Sequence, residues 1–367
     1  MLCYTVFIVW QSVHFQLIEV AGVPDRGILQ REKENKMKTF TGFQKGVNLG
    51  GWISQFDKYD KKHFETFITE EDIVTIKNMG FDHVRVPVDY NVLQKEDGTL
   101  IEDGFNYLLN CREWCEKQGL KMLIDLHECY GYSFDPLKKG MDRRKFFYDD
   151  ELQGRFLDLW REIATRFKDY TDMVAFEPLN EVVLQDVAEA WNTLLAKYIK
   201  LMRSIVPEAY LIIGGVCYNN VLSVPLLSVP VDDYIVYNFH CYEPMVFTHQ
   251  GAYWVEGMPL DFRISYPKTL AEYREAGEAL TADLAGAVYK EGIRDIGNGF
   301  FDDIFAPAIE KAERDGVTLY CGEYGVIDRA AEDDRQRWIE DIDSVFDKYG
   351  IGHALWNYKE KDFGLVS

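Results

Sequence analysis

Basic residues are scarce in this chain. Its 367 residues carry 40 Lys and Arg against 61 Asp and Glu, a formal charge of −21, and a surface of that sign repels nucleic acid and anionic membranes. A neutral polymer stays open as a partner. Cysteine is also limited, at seven residues. The number is odd and no Cys-x-x-Cys pair occurs, so neither a disulfide framework nor a zinc knuckle is indicated. There is no Gly-x-Gly-x-x-Gly turn to cradle a dinucleotide. The first predicted strand offers Val47-Asn48-Leu49 where a metal-dependent barrel hydrolase would want His-x-His. No metal and no cofactor is expected. Long apolar runs are missing too. The stretch over 1–22 is too short, and too polar at Gln11, His14 and Gln16, to span a bilayer. It lacks Lys or Arg near its start and a small-residue cleavage site, so it makes a poor signal peptide. We read residues 1–36 as an extension outside the core, with Met37 as an alternative start, and the working protein as leaderless or cytoplasmic.

What is present is apolar and aromatic material in quantity. A chain with 47% hydrophobic and 14% aromatic residues buries a large core. From Phe43 onward short β-type runs alternate with longer helical ones. Strands are expected over 46–50, 83–88, 121–127, 174–180, 210–215, 234–240, 319–325 and 353–357. Helices are expected over 70–79, 106–118, 151–167 and 187–205, where apolar residues recur at three-and-four spacing. Thr69 and Asp72 form a capping-box pattern at the first of these. Eight alternating units favour a closed (β/α)8 barrel, with a parallel sheet, over 37–367. The sixth and seventh strands are separated by about 75 residues, whereas one crossover needs roughly 30. The surplus, 243–306, holds Phe247, Tyr253, Trp254, Phe262 and Tyr266 and then a helical stretch over 270–289. It reads as a helical subdomain inserted at the barrel mouth, where Trp254 either meets substrate or packs on the rim.

Barrel chemistry sits at the carboxyl ends of the strands, and polar residues collect there. The apolar run over 174–181 stops on Asn180 and Glu181, and the run over 317–325 delivers Glu323. Two strand-end glutamates brought together are the proton donor and nucleophile that retaining glycoside hydrolysis requires, with carboxyl groups about 5–5.5 Å apart. Arg85, His127, His240, Tyr242 and Trp356 occupy other strand ends. Strand alternation puts Asn238, His240 and Tyr242 on one face, and Cys321 with Glu323 on another. Pro178 marks a bend near the rim. Glu128, Glu177 and Glu243 are read as framework or rim.

These motifs resemble glycoside hydrolase family 5. The resemblance rests on Asn-Leu-Gly-Gly-Trp at 48–52, Val-Arg-Val-Pro at 84–87, Asp-Leu-His at 125–127 and Asn-Glu at 180–181. It continues with His-Cys-Tyr at 240–242, Gly-Glu-Tyr-Gly at 322–325 and Trp-Asn-Tyr at 356–358. Longer matches at 48–55, 67–70, 237–240, 247–250 and 319–323 look like the endoglucanase C branch of that family, over about residues 40–363. The resemblance implies a metal-free monomeric barrel that hydrolyses β-1,4 or mixed-linkage β-glucan, or another β-linked glycan such as mannan, with retention. Glu181 then matches the acid/base, Glu323 the nucleophile and Asn180 the amide on the sugar 2-hydroxyl. Arg85, His127, His240, Tyr242 and Trp356 match the remaining active-site positions. Exo-acting relatives, and a glycan-binding barrel without catalysis, are the alternatives. Two departures stand out. Glu128 replaces a second histidine after the one matched by His127, and the chain stops at Ser367, where the family continues into a final helix, so a missing last helix is expected.

Overall fold

The computed structural model describes residues 40–280, 292–360 and 362–366. The extension over 1–36 lies outside them. Eight parallel strands close into a barrel in chain order: β1 (Lys45–Asn48), β2 (His83–Asp89), β3 (Lys121–Glu128), β4 (Val174–Glu177), β5 (Leu211–Gly214), β6 (Ile235–Cys241), β7 (Thr318–Tyr324) and β8 (Gly352–Leu355). The longer helices are α1 (Glu70–Asn78), α2 (Glu102–Gln118), α3 (Asp150–Phe167), α4 (Ala188–Ile205), α5 (Leu270–Leu280), α6 (Asn298–Asp315) and α7 (Glu332–Tyr349). Asp72 caps α1 as the sequence suggests, accepting from Thr69 N at 2.8 Å. On α3 the buried stripe is Phe156, Leu159, Trp160, Ile163 and Phe167. Burying each such side chain is worth about 1.5–3 kcal/mol, which is why these helices lie flat on the barrel.

The alternation of strand and helix has one exception. Between β5 and β6 stands a single 3-10 turn, Val221–Leu226, with Pro225 inside it. Proline there removes a backbone donor and stops an α-helix from growing, and α6 packs beside the turn to fill the outer layer. Helix α6 also runs across position 306, so it serves the barrel wall as well as closing the inserted segment. Within that segment α5 covers the first part of the expected helical stretch, and 281–289 lie outside the described residues. After β8 the described chain turns back across the mouth, bridging Lys359 to Val366, and no helix follows among the described residues.

The barrel interior is layered. Phe40 stacks on Phe43 at 4.1 Å to plug the bottom, beneath Leu123, Ala175, Ile212, Val236, Tyr320 and Ala354. His83 points inward and reaches Tyr320 Oη at 2.7 Å. Gly46 makes room for it, since a Cβ there would stand 2.2 Å from the imidazole. Above this apolar floor the inward residues become polar or charged: Arg85, Asp125, Glu177 and Asn238, all fully buried.

The two strand ends that carry the glutamates depart from simple alternation. β4 stops at Glu177, because Pro178 has no N–H to extend the ladder. Asn180 and Glu181 therefore ride on the irregular segment beyond the strand, not on its end. On β7 the register against β6 slips, with Cys321 paired to Phe239 but Glu323 paired to His240. That bulge reverses the expected parity. Cys321 packs outward among the helix-facing core, while Glu323 turns inward to the charged layer, the re-aiming that bulges supply beside active sites.

Candidate active site

Arg85 is the hub of the charged layer. Its Nε and Nη2 donate to the two oxygens of Glu177 at 2.7 and 2.9 Å. Its Nη1 donates to Asn48 Oδ1 at 2.9 Å and to Glu323 Oε1 at 2.7 Å. The remaining contacts are Asn180 Oδ1 at 2.8 Å and Asp125 Oδ2 at 3.0 Å. One planar cation thus fixes side chains from five places around the barrel, a geometry that lysine could not reproduce. Asn238 completes the frame, donating to Glu177 Oε1 at 2.9 Å and accepting from Gly322 N at 2.9 Å. The sequence reading named Arg85 and Asn180 but did not assign Asn48, Asp125 or Asn238 to the site. The signal was there: a buried inward arginine demands counter-ions, and Asp125 lies two residues from His127 on the same strand face. Glu177 is framework, as expected.

Glu181 and Glu323 come together above this frame. Together with His240, their ligand-type atoms lie within 4.8 Å of one another. His240 Nδ1 shares a hydrogen bond with Glu181 Oε1 at 2.9 Å. Tyr242 Oη donates to Glu323 Oε2 at 3.0 Å. Such a trio could in principle hold a cation, but Arg85 already places a positive charge against Glu323 and Tyr242 takes its second oxygen. The set is therefore a carboxylate pair with unequal support. Burial raises the pKa of Glu181 far above the ordinary carboxyl range, and the Glu323 charge beside it adds to the rise. Burial also raises Glu323, but Arg85 pulls it back and Tyr242 donates to it. The Arg85 cation and the Tyr242 hydroxyl on Glu323 favour charge on Glu323 and the proton on Glu181. Burial lowers the pKa of His127 to about 3 and that of His240 well below its usual value, so both rings are neutral near pH 7.

His127 Nδ1 meets Asp125 Oδ2 at 2.6 Å, and its ring lies parallel to Trp356 at 5.8 Å. The Nε2 atoms of His127 and His240 are buried with no protein partner, which leaves both to bond a ligand or water. Trp356 also joins Ala252, Ile327 and Phe363 in an apolar wall against which Tyr242 and Trp254 pack. Trp254 is two ring contacts from the pair, through His249 at 6.2 Å and then Tyr242 at 5.0 Å. Tyr253 beside it is 62% exposed, so the inserted segment presents an aromatic edge to solvent. Glu128 is no free rim residue. It accepts from Ser133 and pairs with Lys138, which ties down the loop after β3.

The acids around Arg85 carry a pH signature. Burial raises both Asp125 and Glu177 to about 7, against the pull of Arg85. Groups whose folded pKa exceeds the unfolded value bind more protons in the native state, so stability falls as pH rises through that interval. The share of stability that these two acids contribute is expected to grow as pH is lowered from about 8 to about 5. The buried neutral His127 and His240, whose folded pKa values lie below the unfolded one, oppose it below about pH 6.5. Calorimetry of the parent against Glu177→Gln across that range isolates the acid: the stability advantage of the parent should grow toward low pH, and a difference that does not change with pH would mean that Glu177 is ionised throughout.

The family profile described as cellulase (glycosyl hydrolase family 5) matches residues 39–362. Endoglucanase C of Acetivibrio thermocellus is 42% identical over 338 residues, covering 89% of this chain and 94% of that protein. Cellodextrinase A of Ruminococcus flavefaciens is 42% identical over 310 residues, 84% of each chain. Among solved structures, a hyperthermophilic endo-β-1,4-glucanase in complex with substrate superposes with a TM-score of 0.70 at 23% identity, over 89% of this chain and 92% of that one. Thermotoga maritima Cel5A with mannotriose gives a TM-score of 0.69 at 25% identity, over 88% and 92%.

Proposed function

The chain belongs to glycosyl hydrolase family 5, the cellulases, and from that premise we propose how its buried carboxylate pair cleaves β-1,4 or mixed-linkage β-glucan. The protein is a glycoside hydrolase of the endo-β-glucanase type. The observation that carries the mechanism is the unequal support of two acids, one oxygen of each lying within 4.8 Å of the other, an approach that suits the close pair of retaining enzymes rather than the wider pair of inverting ones.

Glu181 begins protonated and Glu323 ionised. Glu323 attacks the anomeric carbon while Glu181 gives its proton to the leaving glycosidic oxygen. The C–O bond breaks, a glycosyl ester forms on Glu323, and the shortened glucan departs. Glu323 has now lost its charge and Glu181 has gained one. The pKa of Glu181 falls accordingly, which suits it to take a proton from water as that water attacks the ester. A second inversion releases the sugar with its original configuration. Arg85 and Tyr242 hold Glu323 for attack from below. Asn180, fixed by Arg85, faces the place of the sugar 2-hydroxyl. His127 and His240 supply ring nitrogens to the ligand, and Trp356 and Trp254 supply apolar ring surface to pyranose faces.

An exo-acting reading within the family draws support from the likeness to a cellodextrinase, and the mannotriose-bound neighbour keeps β-mannan in view. One assay separates them: viscosity and reducing ends measured together on soluble β-1,4-glucan, mixed-linkage glucan and mannan. Endo action on glucan predicts that viscosity collapses while few reducing ends have appeared. Reducing ends accumulating with viscosity preserved would replace it with exo action, and silence on glucans with turnover of mannan would move the substrate. Binding of all three without turnover would favour the non-catalytic barrel.

A further inference from the structure

Glu181 is not held by a strand, and something else must aim it. The β4 ladder ends at Glu177, four residues short, and the segment beyond is fastened piecemeal. Trp160 Nε1 donates to Pro178 O at 3.0 Å, Asn180 N to Leu126 O at 3.2 Å, and Tyr218 N to Val182 O at 3.1 Å. His240 meets the carboxyl, and the fastening on the Glu181 backbone is a phenol. Tyr132 Oη donates to the Glu181 carbonyl at 2.7 Å and accepts from Val183 N at 2.9 Å. A hydroxyl is suited to this bridge because it is donor and acceptor at once.

The surroundings of Tyr132 are built for that task. It sits at the end of a tight turn directly after β3, bridged back to Cys129. Gly131 within that turn has φ +87°, and a Cβ there would lie 2.8 Å from Leu152. The ring is 1% exposed and is flanked by Phe146 and Phe147 at 5.6 and 5.4 Å. Burial pushes the phenol pKa far up, so the bridging proton stays in place over the working pH range.

We propose that Tyr132 is the positioning residue for the acid/base: it locks the peptide on the C-terminal side of Glu181 and thereby sets the direction in which the carboxyl delivers its proton. It touches neither substrate nor reacting atoms. The inference rests on the acid/base assignment of Glu181, and it makes a demand that a merely structural tyrosine would not. Losing the bridge harms proton delivery, so the harm scales with how much the leaving group needs a proton.

The test is Tyr132→Phe, which removes the hydroxyl and keeps the ring. The quantity is kcat/KM for a series of aryl β-cellobiosides of graded leaving-group acidity, with soluble β-glucan as the unactivated end. Each preparation is normalised by the burst of dinitrophenol released from a slowly turning-over 2-fluoro cellobioside, which counts sites with a working nucleophile and needs no acid. Per active site, we expect a loss on the order of 10- to 100-fold on glucan and poor leaving groups, shrinking to less than about threefold on dinitrophenyl cellobioside, whose leaving group departs unprotonated. Equal loss across the series, no loss anywhere, or no titratable sites at all would each overturn the proposal, because Tyr132 would then serve the fold or nothing. Glu181→Ala in the same series keeps the two readings apart. A flat series for that variant removes the acid/base assignment itself, whereas a graded series for Glu181→Ala with a flat one for Tyr132→Phe removes only the role of Tyr132.

Discussion

Glu323→Ala is expected to lose β-glucan hydrolysis by about 10^4-fold or more, the scale seen when a covalent nucleophile is removed and binding is left. The variant keeps the cleft, so binding of cello-oligosaccharides measured by calorimetry should persist while kcat collapses. The loss has an identifiable source. Without the carboxylate, no bond forms to the anomeric carbon, and Arg85 Nη1 and Tyr242 Oη, now bonded to its two oxygens at 2.7 and 3.0 Å, face an empty space. Azide, small and anionic, fits that space and the charge of Arg85. With dinitrophenyl cellobioside it should restore turnover and give the α-glycosyl azide, one inversion instead of two. Unchanged hydrolysis by Glu323→Ala would assign the nucleophile elsewhere.

Arg85→Met has the second-largest expected effect, and it acts on stability and activity together. The guanidinium faces Glu177, Asp125 and Glu323, and both the Arg85 side chain and those of Glu177 and Asp125 have no solvent exposure. Removing one partner of a buried ion pair costs about 3–5 kcal/mol, because the other is left buried and charged. Here three carboxyls are left. Denaturant unfolding should show a loss of that size near pH 8. The loss should shrink toward pH 5, since the stranded acids can then take up protons. Glycosidase activity should fall with it, because Glu323 without its cation becomes a weaker anion and shares its proton with Glu181. Equal unfolding midpoints for parent and variant would mean that Arg85 is dispensable to the frame.

Much of this was legible before any coordinates. Hydrophobic periodicity located all eight strands and four of the barrel helices, since a run buried on both faces and a helix with one apolar stripe leave different patterns. The strand-end polar residues were legible for the same reason: Arg85, His127, His240 and Tyr242 interrupt runs that are otherwise apolar. What could not be read was parity and reach. The slip at Gly322 that turns Glu323 inward depends on pairing with β6, which a single strand does not announce. Pro178 hinted that β4 would stop early, yet the phenol that takes over from the ladder lies about fifty residues upstream in Tyr132. Nothing local marks that tyrosine. The missing helix after β5 follows from Pro225 in its turn, and the buried partners of Arg85 follow from charge balance, but choosing among the many acids of this chain needed the closed barrel.

The central claim is that Glu323 forms a covalent bond to the sugar. The most direct measurement is the intact mass, and then the peptide map, of the protein after incubation with 2-fluoro cellobiosyl fluoride, in which hydrolysis of the ester is slowed. The account predicts one glycosyl unit added per chain, carried on the peptide that holds Glu323 and absent from the Glu323→Ala variant. A full burst of turnover with no mass added, or the label on another carboxylate, would contradict it.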